Sequence, residues 1–178
     1  MLLMPQQDWQ WSYNDAYNSL SVSLGAEMEF LTPYQKKLLI PDAMSPMEFS
    51  MEQAKFYIAM LECLQKHLSV PDAEIVQISL NATAAHFMLK PQMPKSWFFD
   101  ACDECVYCDV GKLFELATTK KQRVLVLVVE NGLQAAQVML LSPECELSEV
   151  KSMVKFETIK VMHNRLQPIK VSRQVIAA

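Results

Sequence analysis

From Ile75 to Leu89 no side chain is charged, and Ile75, Ile78, Ala82, Ala85 and Leu89 recur at helical spacing, with Val76, Leu80 and Phe87 widening the stripe. A helix that is apolar on most of its circumference must be buried, so the remaining chain has to be arranged to cover it. Asp72 and Glu74, just after Pro71, suit the first turn of that helix, where negative charge complements the dipole. His86 has no His or Cys near it in sequence and reads as a hydrogen-bonded core residue. The run ends at Leu89–Phe99, LKPQMPKSWFF. Pro91 and Pro94 fix φ near about −65° and push their predecessors toward extended geometry, so this stretch is stiff and non-helical. Lys90 and Lys95 then stand beside Trp97, Phe98 and Phe99, a composition that reads either as an interdomain connector with buried aromatics and solvated lysines or as a docking site for an acidic, partly hydrophobic peptide.

A chain of 178 residues with 51% hydrophobic and 20% charged side chains can build a core and holds one medium domain or two small ones. The longest fully apolar run, Val124 to Val129, is far too short to span a bilayer, which takes about 20 residues. MLLMPQQDW has no basic residue before its apolar patch and is interrupted by Pro5, so no secretory signal is expected. A net charge of −4 argues against nucleic acid as the main ligand. The charge is uneven: residues 1–80 carry ten acidic and four basic side chains, residues 81–178 twelve basic and ten acidic. An acidic partner would be steered to the C-terminal half.

The pattern opens with strands. Trp9, Trp11 and Tyr13 alternate with Gln10 and Ser12, and Leu20, Val22 and Leu24 alternate with serines. Gly25-Ala26 suits a tight type II′ turn into a third strand with Met28 and Phe30. Thr32-Pro33 predicts a short helix to Leu39 with Lys36 and Lys37 outward, stopped by Pro41. Ser50 and Gln53 form a capping box for a helix to about Leu68, with Ala54, Tyr57, Leu61, Leu64 and Leu68 along one seam.

Beyond Phe99 strands dominate: Ser96–Phe99, Val106–Val110, Leu113–Ala117, Arg123–Val129, Leu133–Leu141 and one near Cys145–Met153. Asn131-Gly132 predicts a type I′ hairpin, and Lys155–Leu166 a short helix with Phe156, Ile159 and Leu166 inward. The fold class is α+β. Residues 1–90 make an N-terminal α/β domain with a three-stranded antiparallel sheet, and residues 91–178 a β-rich C-terminal domain.

Chemistry is sparse. The three glycines, Gly25, Gly111 and Gly132, are well separated, which excludes phosphate-cradling loops, and no G-x-S-x-G or H-E-x-x-H occurs. Cys102, Cys105 and Cys108 form a C-x₂-C-x₂-C cluster, the basis of an alternative reading as a small metal or redox module. No fourth ligand is near, and on an extended strand the three would not share a face, so free thiols and no metal are expected. No cofactor site or enzyme active site is legible.

Five segments, DWQWSY (Asp8–Tyr13), PDAMSP (Pro41–Pro46), LKPQMPKSW (Leu89–Trp97), LVVENGLQAA (Leu127–Ala136) and IKVMHNRLQP (Ile159–Pro168), resemble, in this order and spacing, the ZapC family of cell-division proteins. The resemblance implies an α/β domain followed by a twisted β-barrel-like one. It also implies a non-catalytic cytoplasmic protein of the mid-cell division ring that binds FtsZ filaments, bundles them laterally and reduces their GTP hydrolysis. A carrier of net negative charge cannot screen acidic filaments as a polycation, so docking must be local. Contact with FtsZ is expected at Lys90, Lys95 and Trp97, with the apolar strand face of Leu20, Val22, Leu24 and Phe30, and with Lys160 and Arg165 as a second surface. No nucleic acid, membrane or cofactor is expected as a partner, and the protein is expected to be a monomer before binding.

Overall fold

A computed structural model describes residues 1–104 and 106–169. The chain divides into two compact units, Met1–Glu62 with Pro71–Pro91, and Cys63–Val70 with Gln92 onward.

The first unit is built on an antiparallel sheet. β1 (Gln10–Asn14) pairs with β2 (Ser19–Ser23), placing Trp11 opposite Val22 and Tyr13 opposite Leu20. β3 (Glu29–Leu31) pairs with β2, and the two-residue β4 (Met47–Glu48) adds to the other side of β1. The order β3-β2-β1-β4 therefore has four strands where the sequence predicts three. A strand of two residues has no periodicity to betray it. Between β2 and β3 the Leu24 N–H donates to the Met28 carbonyl at 2.8 Å, so three residues form the loop rather than two, with Gly25 at φ +119°.

The helix expected at Pro33–Leu39 is a single 3-10 turn, Lys36–Leu38. Thr32 is committed elsewhere: its N–H and Oγ1 both donate to the Leu20 carbonyl, and Leu20 N–H donates to Tyr34 O at 2.9 Å. The chain thus continues along β2 instead of starting a helix. A second 3-10 turn, Pro41–Met44, follows.

Helix α1 (Met51–His67) begins on the expected capping box: Gln53 N–H donates to Ser50 Oγ at 3.1 Å, and Ser50 N–H to Gln53 Oε1 at 2.9 Å. Helix α2 (Asp72–Met88) is buried at Ile75, at Ile78 through Ala85, and at Met88, as its uncharged sequence requires. Trp9 and Trp11 are buried and meet Phe49 at 5.3 and 5.4 Å; Trp9 also meets Tyr57 of α1 edge-on at 5.5 Å. The aromatic strand face is thus internal core. His86 is half-buried and stacks on Phe56 at 4.4 Å.

The second unit carries the sheet β10-β7-β6-β5, antiparallel throughout, from β5 (Leu113–Ala117), β6 (Arg123–Asn131), β7 (Ala135–Leu140) and β10 (Thr158–Met162). A separate hairpin joins β8 (Glu144–Glu146) to β9 (Ser152–Val154), where the sequence predicts one strand. Among the described residues no sheet closes into a barrel, which corrects the barrel-like expectation. The sheet's edges are nonetheless occupied. Glu115 of β5 exchanges two backbone bonds with Gln167 at 2.9 Å, and on β10 the Lys160 carbonyl accepts from Lys95 N–H at 2.8 Å while Met162 N–H donates to Ser96 Oγ at 2.8 Å.

Within Lys155–Leu166, expected as a helix, Thr158–Met162 is strand and only His163–Arg165 makes a 3-10 turn. Ile159 and Val161 are buried alternately with half-buried Lys160 and Met162, a period of two, and Phe156 at φ +76° breaks any helix entering from Lys155. Ser96–Phe98, expected as strand, is a 3-10 turn, and Val106–Val110 forms no strand. The β6–β7 hairpin exists, but φ is not positive at Asn131 or Gly132. A bulge between Val128 and Glu130 shifts the register, so Gly132 meets Ala135 at 2.9 Å and the apex residues are Leu133 and Gln134. Val124–Val129 is buried on both faces, as its unbroken apolar run demands. Among the described residues no helix is long and apolar enough to cross a membrane.

Candidate functional site

Two surfaces, one on each unit, gather cations beside apolar groups. In the first unit, Leu89 and Leu39 form an antiparallel bridge, with Lys90 N–H donating to Leu38 O at 2.8 Å and Ile40 N–H to Met88 O at 2.9 Å. This short ladder sets exposed Lys90 beside the turn carrying Lys36 and Lys37. The three lysines rim an open groove of about 640 Å³ floored by Leu39, Pro41 and Met44. None of the three makes an ion pair among the described residues. The sequence sets Lys36 and Lys37 outward without a role; the fold brings them to Lys90.

In the second unit, the Ser96–Phe98 turn is the organising element. Lys95 is tied to Lys160 through its backbone, Met162 N–H is bonded to Ser96 Oγ, and Arg165 Nε donates to the Ser96 carbonyl at 3.1 Å. Arg165 is held further by Asn164 Oδ1 at 2.8 Å. Trp97 projects from this turn at 65% exposure, tilted on Phe98 with centroids 5.5 Å apart. Lys151 Nζ lies 5.7 Å from the Phe98 ring centre. The charge of Lys151, then its contact with the Lys95 amine, then burial hold Lys95 below the ordinary lysine pKa.

Four of the expected contact residues, Lys95, Trp97, Lys160 and Arg165, thus share one patch. Lys90 belongs to the first unit's groove. Leu20 and Val22 are 0% exposed in the core, and Leu24 and Phe30 are half-buried. Both core residues are fully buried, so their side chains offer no face to a partner in this fold. Lys151 was not foreseen: it lies more than fifty residues from Lys95, and only the β8–β9 hairpin brings it there.

Cys102 is half-buried and Cys108 buried with its thiol toward the Val106 carbonyl at 3.8 Å; Cys105 lies outside the described residues. Among the described residues no three His, Cys, Asp or Glu side chains are grouped to hold a metal. Burial, then the charge of Glu146, pushes the Cys145 thiol up to about 11.

Residues 2–90 match the family model described as cell-division protein ZapC, N-terminal, and residues 91–172 the one described as cell-division protein ZapC, C-terminal. The chain belongs to the ZapC family of cell-division proteins. A cell division protein ZapC from Shewanella oneidensis is 66% identical over 178 residues, covering all of both chains, and one from Shewanella frigidimarina is 65% identical over the same span. A ZapC from Ferrimonas balearica is 40% identical over 180 residues, again end to end.

Proposed function

We propose that this protein binds FtsZ filaments directly in the cytoplasm, at the mid-cell ring, promotes their lateral bundling and thereby reduces FtsZ GTP hydrolysis, with no catalysis of its own. The observation that carries the reading is the patch of Lys95, Trp97, Lys160 and Arg165: cations unpaired by any carboxylate among the described residues, around one exposed aromatic anchor. Cationic rims steer an acidic partner, and an aromatic supplies contact area at low entropy cost. The Lys36/Lys37/Lys90 groove likewise sets cations beside apolar groups, here Leu39, Pro41 and Met44, on the first unit. A monomer with one docking surface on each of two domains, 1–90 and 91–178, could bridge neighbouring filaments without self-association. Slower subunit exchange in bundled filaments would lower hydrolysis with no contact at the nucleotide.

Co-sedimentation tests it. Purified protein should pellet with FtsZ assembled in GTP and thicken its filaments, and stay in the supernatant with FtsZ in GDP. Absence from the pellet while FtsZ itself sediments would overturn the reading.

A further inference from the structure

β3 is the outermost strand of the first unit's sheet, and its outer side is bare. In an antiparallel pair, residues that exchange hydrogen bonds with the partner alternate with residues whose N–H and C=O point away from it. The two ends of β3 fix that alternation. Leu24 N–H donates to Met28 O at 2.8 Å and Thr32 N–H to Leu20 O at 2.9 Å, so Met28, Phe30 and Thr32 turn their backbone groups to β2. The N–H and C=O of Glu29 and Leu31 therefore point outward, and no group among the described residues meets them. Pro33, next in the alternation, has no N–H and ends the ladder. Both edges of the second unit's main sheet are met by its own loops, whereas this one is left as a template for pairing.

The side chains around the edge select what can pair there. Met28 and Phe30 lie on the face of Val22, one exposed and the other half-buried, while Glu29 and exposed Leu31 lie on the opposite face. Glu29 accepts from Asn14 Nδ2 at 3.3 Å, Glu27 is exposed in the adjoining turn, and the Asp8 carboxylate reaches the same turn, 3.6 Å from where a Cβ on Gly25 would stand. None of these three carboxylates is in an ion pair among the described residues. A second copy of β3 would bring two such acidic sets onto one short ladder, and like charges set across from each other are destabilising. A basic strand meets the opposite field.

We propose that the outer edge of β3 takes an extended basic peptide, in which lysine or arginine alternates with apolar residues, as an added antiparallel strand. The four open backbone groups of Glu29 and Leu31 supply the main-chain bonds. The basic side chains then lie beside Glu29, and the apolar ones beside Phe30 and Met28. The site is separate from the FtsZ docking proposed above, whose cationic surfaces call for an acidic partner, and its test contains no FtsZ.

The test titrates a capped hexapeptide of alternating valine and lysine into isotope-labelled full-length protein and follows the backbone amides by NMR. Saturable shifts at Glu29 and Leu31 are expected, with slower hydrogen exchange at both N–H groups. A hexapeptide of alternating valine and glutamate should bind at least tenfold more weakly, and Glu29→Lys, an exposed change that keeps β3 paired to β2, should narrow that preference at least fivefold. Methylating the lysine backbone nitrogens, which face β3 when lysine stands opposite Glu29, should abolish binding while leaving the peptide's charge intact. No saturable shift on β3, equal binding of the two peptides, a preference unmoved by Glu29→Lys, or undiminished binding of the methylated peptide overturns the proposal. So does concentration-dependent dimerisation through Glu29 and Leu31 without peptide, which would assign the edge to a second copy of the chain.

Discussion

The indole N–H of Trp11 donates to Gln53 Oε1 at 2.8 Å, and that oxygen also accepts the Ser50 N–H at 2.9 Å. One buried amide oxygen therefore closes the cap of α1 and satisfies the donor of a fully buried ring on β1. Gln53→Leu removes the reciprocal half of the cap and leaves the indole donor unpaired. A lost cap costs about 1 kcal/mol and an orphaned buried donor about 1–3 kcal/mol. Urea unfolding should show a loss of about 2–4 kcal/mol. Trp11→Phe combined with Gln53→Leu should lose less than the sum of the two single changes, since the orphaned donor disappears with the indole.

Lys90→Asp, Lys95→Asp and Lys160→Asp should each reduce co-sedimentation with FtsZ, while urea midpoints move little, because exposed charge changes alter stability by about 0.5 kcal/mol or less. Lys55→Asp, exposed on α1 and in neither surface, serves as the control. Undiminished binding in all three variants would remove both surfaces from the mechanism.

Val22 pairs with Trp11 on one side and Phe30 on the other. Val22→Ala should destabilise the protein by about 2–3 kcal/mol, through lost burial and the cavity left behind. It should still bind FtsZ in full when assayed well below its melting temperature. Val22→Pro removes a backbone donor and clashes in an interior strand, so it should give no folded first unit. Circular dichroism and sedimentation on the two variants separate a core role from a contact role.

Cys145 is buried and its thiol pKa is raised from 9.0 to about 11; burial likewise raises the Tyr57 hydroxyl above 10.0. A raised acid holds its proton more tightly in the folded state, so its stabilising effect is complete below the unfolded pKa and is lost as pH climbs through the folded one. Stability should therefore fall between about pH 9 and 11, by up to about 3 kcal/mol from Cys145. Cys145→Val should flatten that part of the profile in urea titrations at pH 8 and 10.5.

The elements legible in the sequence were those whose own residues dictate their state. An uncharged helical stripe from Ile75 to Leu89 has no alternative to burial, and Ser50 with Gln53 satisfies its helix end locally. The failures trace to bonds made with distant residues. Thr32 has the look of a helix cap but serves the Leu20 carbonyl; Phe156, Ile159 and Leu166 also fit a helical seam until pairing of Ile159 with Val138 and of Val161 with Ala136 imposes a period of two. The cationic patch was partly legible, since Lys95, Trp97, Lys160 and Arg165 are chemically conspicuous. Leu20 and Val22 were conspicuous for the opposite reason: alternation marks a face that is covered, and only the tertiary fold shows by what.

Both margins of the second unit's sheet carry hydrogen bonds to the chain's own loops, one to Gln167 and the other to Lys95 and Ser96. On the proposed function the protein works among polymerising subunits, where bare backbone left open would risk drawing it into the polymer itself. Here the chain's own loops act as selvedges, so the sheet has little ladder left to extend, and whatever meets this unit meets side chains first.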